Sequence, residues 1–170
     1  MFVLTAAAGA QQRPLLTEDV DIVPPGSVRF EIGVDFRQGA KFPFSGLTGD
    51  LTRVGVVGVH IGLSPNVEVQ LEGVLQNFLS INTASPNPPV PRGFAPGRNS
   101  TNDTGDFRLS TKIKLRNETR RAPAVGFQFG VELPNSDEAQ GIGVNQTNAF
   151  GLVLLGKKFG QDDCLNMFAN

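Results

Sequence analysis

Residues 105–133 read GDFRLSTKIKLRNETRRAPAVGFQFGVEL, and this stretch predicts the fold. It holds two alternating runs separated by a short polar turn. One alternating set is apolar apart from a threonine, and it comprises Phe107, Leu109, Thr111, Ile113 and Leu115, then Val125, Phe127, Phe129, Val131 and Leu133. Because successive side chains of a strand point to opposite faces, the stretch predicts a β-hairpin with one apolar face.

The opposite face of the first strand carries four cations, Arg108, Lys112, Lys114 and Arg116. In a soluble sheet the apolar face would pack on a core and the cations would meet water. In a membrane barrel the apolar face would meet lipid and the cations would line a water-filled interior. The alternation alone allows both structures.

Composition limits the class of protein. A chain of 170 residues fits one domain, and a formal net charge of −1 argues against a nucleic-acid binder driven by bulk charge. The 20 glycines and 12 prolines indicate many turns rather than long helices. The chain has 13 phenylalanines but no tryptophan or tyrosine, which counts against a membrane barrel, since such barrels carry aromatic girdles.

Few residues are available for catalysis or metal binding. With Cys164 as the single cysteine, an internal disulfide and a cysteine-based zinc site are excluded, and histidine-assisted catalysis would have to use His60. Residues 99–106 (NSTNDTGD) are rich in oxygen ligands, but their spacing differs from that of an EF-hand loop, so we predict a turn. The sequence therefore predicts no enzyme, no cofactor and no metal.

The chain divides into four parts. Residues 1–12 resemble the remnant of a signal peptide, and residues 13–26 are predicted to be a linker or plug-like segment rather than a helix. Its acidic cluster, Glu18, Asp19 and Asp21, is predicted to be solvated. Residues 27–159 are predicted to hold the strands, and residues 160–170 an irregular tail.

Six long strands are predicted, beginning with one over residues 27–36. The second and third flank the turn signal LSPN at residues 63–66, and one register places His60 opposite Gln70 and sorts apolar from polar positions on both strands. Three valines fall on the polar face in that register: Val54, Val56 and Val74. The hairpin of residues 105–133 supplies strands four and five, and the sixth follows at residues 147–158.

The predicted connections alternate in length. Long loops are predicted over residues 38–50, 80–104 and 134–146, whereas the second and fourth connections are short. Short turns at one end and long loops at the other are typical of outer-membrane barrels. The predicted strands are also long enough to cross lipid, and no apolar run is long enough for a spanning helix. The predicted fold is therefore all-β, an antiparallel up-and-down meander that forms part of an outer-membrane-type barrel.

Five stretches follow in the order of one known family: TEDVDIVPPGSVRFEIGVDF (17–36), GDLTRVGVVGVHIGLSPNVEVQLEG (49–73), DTGDFRLSTKIKLRNE (103–118), GFQFGVELPN (126–135) and GIGVNQTNAF (141–150). They resemble bacterial outer-membrane barrels of the phenol-degradation MetA-like or transporter family. The resemblance implies a channel in the bacterial outer membrane for small solutes, including aromatic or other hydrophobic compounds, and it brings no catalytic residues.

Members of this family are longer, and six strands are fewer than the eight of the smallest single-chain barrels. We therefore expect a fragment, a truncated or frame-shifted product, or a chain that closes its barrel with further strands or as an oligomer. The expected partners are the lipid bilayer and a small-molecule solute. The alternative prediction is a secreted or periplasmic β-sandwich that binds a ligand through its long loops.

The barrel prediction assigns the polar alternating positions to the interior. In the fourth and fifth strands, Lys112 is expected opposite Gln128 and Arg108 opposite Glu132, with the third strand on the other side of the cations. The residues predicted to face the lumen are Arg29, Glu31, Asp35, His60, Glu68, Gln70, Glu72, Arg108, Lys112, Lys114, Arg116, Gln128 and Glu132.

Overall fold

A computed structural model of the chain describes residues 19–159 and 165–169. Apart from one turn of 3-10 helix, Glu138–Gln140, the regular structure of this part of the chain is β-strand. The strands are Val28–Phe42 (β1), Leu47–Ser64 (β2), Val67–Ala84 (β3), Ser100–Asp103 (β4), Phe107–Arg116 (β5), Ala124–Leu133 (β6), Asn148–Phe159 (β7) and Leu165–Ala169 (β8). The predicted signal-peptide remnant lies outside the described residues.

The strands form one antiparallel sheet in the order β1-β2-β3-β5-β6-β7-β8, which curls into a half-barrel. β4 and β5 lie end to end along β3, where β5 pairs with residues 67–73 and β4 with residues 77–80. The predicted all-β, antiparallel up-and-down meander is therefore confirmed. Two short strands, β4 and β8, join the six long ones.

The registers of the hairpins follow the predicted alternation. His60 lies opposite Gln70 between β2 and β3, Lys112 lies opposite Gln128 between β5 and β6, and Glu68 of β3 lies opposite Lys112. A slip of one residue would exchange the two faces of a strand, so a consistent alternation specifies one register.

A β-bulge moves one residue to the other face. Gly55, with φ of 66°, is an extra residue in β2 relative to β1, so that Val54 pairs with Val34. The prediction that Val54 lies on the polar face is therefore wrong, because the extra residue inverts the alternation beyond it. Val56 and Val74 lie on the other side of the bulge and pair with each other. They stay on the polar face, as predicted.

The predicted loop over residues 38–50 is wrong, because both strands continue through most of it. β1 ends at Phe42 and β2 begins at Leu47, with a short turn between them. β1 passes a second bulge at which the N–H of Gly39 donates to a carboxylate oxygen of Asp50 at 2.9 Å. A side-chain acceptor replaces the lost ladder bond there, so the strand continues.

Two other irregular regions also contain strand. β3 continues to Ala84 and β4 lies within the predicted loop over residues 80–104, so the irregular part shortens to residues 85–99. The predicted irregular tail contains β8, whose five residues alternate too weakly to indicate a strand. The connections remain long after β3 and β6 and short after β2 and β5, but the connection after β1 is short.

The two faces of the sheet differ in what covers them. We call the inner face the one that carries the buried polar residues of β2, β3, β5 and β6: His60, Glu68, Gln70, Ser110, Lys112 and Gln128. The outer face carries exposed apolar side chains, among them Val28, Phe30, Ile32, Val34, Phe36, Leu71, Leu109, Phe127, Phe129 and Val153. The half of the sheet near the turns at residues 65–66 and 117–123 is called the turn end, and the opposite half the loop end.

This polarity reverses at the loop end. There the inner face is apolar, since Leu47, Leu51 and Leu79 are buried in one cluster against which Phe42 and Phe94 pack. Most outer positions of β2 and β3 in this half are polar and partly or fully exposed, namely Thr48, Asp50, Thr52, Ser80 and Asn82. Phe36 and Phe78, which flank Thr52 on the outer face, are exposed apolar side chains. Residues 85–99 and 134–147 fold over the apolar cluster and are joined to each other by a hydrogen bond from Gly93 N–H to the Ala139 carbonyl at 2.8 Å. No helix in residues 19–159 or 165–169 is long and apolar enough to cross a membrane.

Candidate functional site

Antiparallel pairing arranges the inner-face side chains in three rows that run across the strands at the turn end. Nearest the turns, Glu68, Lys112 and Gln128 lie side by side. The next row joins Arg29, His60, Gln70 and Ser110, and the third joins Glu31, Glu72, Arg108 and Glu132. The structure thus brings most of the predicted polar residues together on one face.

Glu68 is the centre of the first row and is fully buried. One of its oxygens accepts from Gln70 Nε2 at 2.8 Å and lies 3.7 Å from Lys112 Nζ. Its other oxygen accepts from the backbone N–H of Val23 at 2.6 Å. A buried carboxylate is costly unless it is paired and hydrogen-bonded, and both oxygens of Glu68 meet that condition.

A neutral cluster connects Glu68 with β5 and β6. Gln70 Oε1 accepts from Gln128 Nε2 at 2.7 Å and from Ser110 Oγ at 3.1 Å. Since Gln70 also donates to Glu68, its amide uses both its donor and its acceptor. The cluster therefore fixes the orientation of side chains from three strands at once.

His60 belongs to the same network and is buried. Its Nδ1 lies 3.0 Å from a Glu68 oxygen and 3.3 Å from a guanidinium nitrogen of Arg29. Because the carboxylate can only accept, the contact to Glu68 requires the proton on Nδ1, and the Arg29 guanidinium, which can only donate, is then not hydrogen-bonded to that atom. Both contacts involve charged side chains of the inner face, and neither partner is a hydroxyl or thiol nucleophile.

The third row is more open than the first two. Arg108 lies 3.4 Å from Glu132 and its guanidinium stands 4.7 Å from the centre of the Phe150 ring. Nearer the edge of the sheet, Asp35 is held by the guanidinium groups of Arg37 and Arg53. These partly exposed pairs keep charges of both signs on the surface of the inner face.

The last two cations of β5, Lys114 and Arg116, lie outside the three rows. Lys114 stays on the inner face, where Nζ binds a carboxylate oxygen of Asp21 at 3.0 Å. Arg116 does not continue the row, because a bulge shifts the register and places it opposite Val125. Its guanidinium donates to the carbonyl of Pro123 at 3.1 Å, within the turn.

The sequence predicted a linker or plug-like segment over residues 13–26 but none of its contacts. Residues 19–26, which we call the N-terminal segment, cover the inner face. Lys112 Nζ donates to the carbonyl of Asp19 at 3.0 Å, and Lys158 lies 3.2 Å from Asp21. Burial alone would raise the pKa of Asp21, but the hydrogen bonds and charges of Lys114 and Lys158 outweigh it and lower that pKa. Asp21 is therefore ion-paired rather than simply solvated. The one sequence signal for these contacts is the opposite charge of the acidic segment and of the cations in β5.

The oxygen-rich stretch at residues 99–106 is used within the loop end. Asp106 accepts from the N–H groups of Asn135 and Ser136, and Asp103 accepts from that of Asp137, each at 2.9 Å. These carboxylates tie β4 to residues 134–147. Residues 19–159 contain no group of three or more histidine, cysteine, aspartate or glutamate side chains that could hold a metal ion.

Comparison with known proteins adds no relative: no family model, no curated protein and no solved structure matches this chain. The resemblance to a family of outer-membrane barrels therefore stays a prediction.

Proposed function

We propose that this chain forms part of the wall of a bacterial outer-membrane β-barrel, and that its inner face lines a path for small solutes, aromatic or other hydrophobic compounds among them. The observation that carries the proposal is the reversal of polarity along the strands. At the turn end the exposed outer face is apolar and the buried inner face is polar, whereas at the loop end the inner face buries a leucine cluster and most outer positions of β2 and β3 are polar.

The apolar band of the turn end would be unfavourable in water. Ile32 and Val34 are 67% and 70% exposed, and their neighbours on the outer face are exposed apolar residues as well. Soluble monomers rarely expose contiguous apolar patches of more than a few hundred Å². Lipid acyl chains would cover this band without requiring any complementary protein surface.

The strand lengths fit the same arrangement. β5 and β6 have 10 residues each, and a tilted strand needs about 9–11 residues to cross the hydrocarbon core. β2 and β3 have 18 residues each and would extend beyond it. Their extensions are the part where the outer face becomes polar, as expected for strands that leave lipid and enter water.

A membrane wall also needs closure. Within the described residues β1 pairs only with β2, and β8 only with β7. In lipid an unpaired strand edge leaves backbone groups without partners. The proposal therefore includes further strands, from additional copies or from more of the same polypeptide.

Lipid contact can be tested with single tryptophans, because the chain has neither tryptophan nor tyrosine. Ile32→Trp places the fluorophore on the outer face at the turn end, and Ser80→Trp places it on the outer face at the loop end. Each variant is reconstituted into vesicles whose acyl chains carry bromine, a contact quencher of tryptophan. We expect strong quenching for Ile32→Trp and little for Ser80→Trp.

The alternative, a soluble β-sandwich, predicts another result. The chain would then remain monomeric without detergent, and neither tryptophan would be quenched by brominated lipid. Equal quenching at both positions would also contradict the proposal, since it would remove the boundary between the two ends.

A further inference from the structure

The N-terminal segment lies on the inner face without being a strand of the sheet. Its backbone contact with the ladder is at its end, where Gly26 N–H donates to the Gly62 carbonyl at 2.8 Å. Residues 19–23 are held by side chains of the inner face, including Glu68, Lys112 and Lys114. Such a segment can detach without breaking a ladder, and local openings of this kind cost less than global unfolding.

The inner face recognises the backbone of this segment at two points of opposite polarity. Glu68 accepts from the N–H of Val23 at 2.6 Å, and Lys112 donates to the carbonyl of Asp19 at 3.0 Å. Neither contact depends on the side chain of the segment. A buried acceptor and a buried donor arranged in this way would fit the main chain of any peptide in the same pose.

The inner face also binds two side chains of the segment, one through ion pairs and one through apolar contacts. Lys114 and Lys158 hold the carboxylate of Asp21 at 3.0 and 3.2 Å. Val20 is buried against Ala124 and Leu154. The face therefore selects a carboxylate next to a small apolar residue.

The sheet also leaves room for the peptide. A Cβ atom at Gly62 would overlap the carbonyl oxygens of Val23 and Pro24, and one at Gly126 would lie 3.1 Å from Val20 Cγ1. Glycine at Gly62 thus allows the backbone of the segment to approach the sheet closely. The inner face therefore follows the shape of the segment at both of these glycines.

We infer that the inner face at the turn end is a binding site for a short acidic peptide, and that the N-terminal segment occupies it in cis. The same segment of another copy of this chain would exchange with it. The site uses only groups of the inner face, so the inference holds whether or not lipid covers the outer face.

The test uses the full chain with Cys164→Ser and a reporter, Leu154→Cys, placed under Val20. Leu154 is fully buried, so a small charged thiol reagent should react slowly while the segment is seated. Asp21→Lys should raise the labelling rate about tenfold, because it removes two ion pairs and places a cation beside Lys114 and Lys158. Arg120→Cys, in the exposed turn, controls for the intrinsic reactivity of the reagent.

Two further measurements separate displacement from misfolding. Adding Lys114→Asp and Lys158→Asp to Asp21→Lys should restore slow labelling, because the charges are then complementary again. A synthetic peptide of residues 19–26 should also slow the labelling of the Asp21→Lys chain, and the same peptide with lysine in place of Asp21 should not.

The outcomes distinguish a peptide-binding site from a segment that only covers the inner face of its own chain. Slow labelling in the Asp21→Lys chain would overturn the inference, since the ion pairs would not hold the segment. Fast labelling that the added peptide does not slow would overturn it as well, whether or not the reversed charges slow it, because the face would then not recognise a peptide in trans. Rescue by both treatments supports it.

Discussion

The two ends of the β2–β3 hairpin are built from the same alternating pattern but bury opposite sets of side chains. At the turn end the pair of Glu68 and Lys112 is covered and Ile61 and Leu71 are exposed. At the loop end Leu51 and Leu79 are covered, and the neighbouring outer positions Asp50 and Ser80 are partly or fully exposed. The inner face is the buried one at both ends, but the bulge at Gly55 changes which residues of β2 point to it, so alternation on the two sides of the bulge brings opposite sets of side chains to the same face.

The two ends also differ in how burial contributes to stability. Burying leucines at the loop end is favourable in itself, about 25 cal/mol per Å² of apolar surface removed from water. Burying charges at the turn end is unfavourable unless each has its partners. The turn end should therefore be the more sensitive to the loss of a single polar group.

The largest effect is expected from Lys112→Met, which keeps the volume of the side chain and removes its charge. Glu68 would be left fully buried beside an apolar group, and breaking a buried pair in this way costs about 3–5 kcal/mol. Denaturant unfolding in the medium in which the chain folds measures the loss.

Arg108→Met is the matched control, since it also removes a cation from β5. The pair of Arg108 and Glu132 is substantially exposed, and exposed pairs contribute at most about 1 kcal/mol. Equal losses for the two variants would show that the first row is no more buried than the third.

The second prediction concerns the outer face. Val34→Arg should destabilise the reconstituted chain by about 2–4 kcal/mol, the cost of an arginine facing lipid near the middle of a bilayer. Ser80→Arg, on the same face at the loop end, should change stability by less than about 0.5 kcal/mol. The readout is the difference between the two unfolding free energies in vesicles. If Val34→Arg is as neutral as Ser80→Arg, the outer face meets water at both ends.

The repetitive part of the molecule could be predicted from the sequence. The hairpin of residues 105–133 and the pairing of His60 with Gln70 follow from alternation, because a register slip would exchange the faces. The polar residues of the inner face could be grouped for the same reason. Their partners across neighbouring strands then follow from geometry.

What could not be predicted depends on single residues or on contacts distant in sequence. The bulge at Gly55 moves Val54 to the other face, and alternation contains no signal for an inserted residue. The contact of Asp19 with Lys112 joins residues 93 positions apart and has no periodicity. The leucine cluster of the loop end likewise forms only when residues 85–99 and 134–147 fold over it.

The third prediction tests the close approach at the turn end. Gly62→Ala should destabilise the chain by about 1–3 kcal/mol, because the added methyl overlaps backbone oxygens of the N-terminal segment and the segment must shift. Gly33→Ala is the control, since a Cβ there meets nothing within 4 Å. Thermal unfolding of both variants measures the difference, and equal midpoints would mean that the segment does not press against β2.

The smallest expected effect is the pH dependence of the contact between Asp21 and its two lysines. The folded chain lowers the pKa of Asp21 from its ordinary value of 3.8, so the stabilisation is complete above 3.8 and is lost as the pH falls through the lowered pKa. Because the carboxylate is half exposed, the pairs contribute only about 1 kcal/mol. Asp21→Asn should therefore be less stable than the native chain near neutral pH, and the gap should close in acid. A gap that persists below the lowered pKa would show that Asp21 stabilises the segment through its shape or hydrogen bonds, and not through its charge.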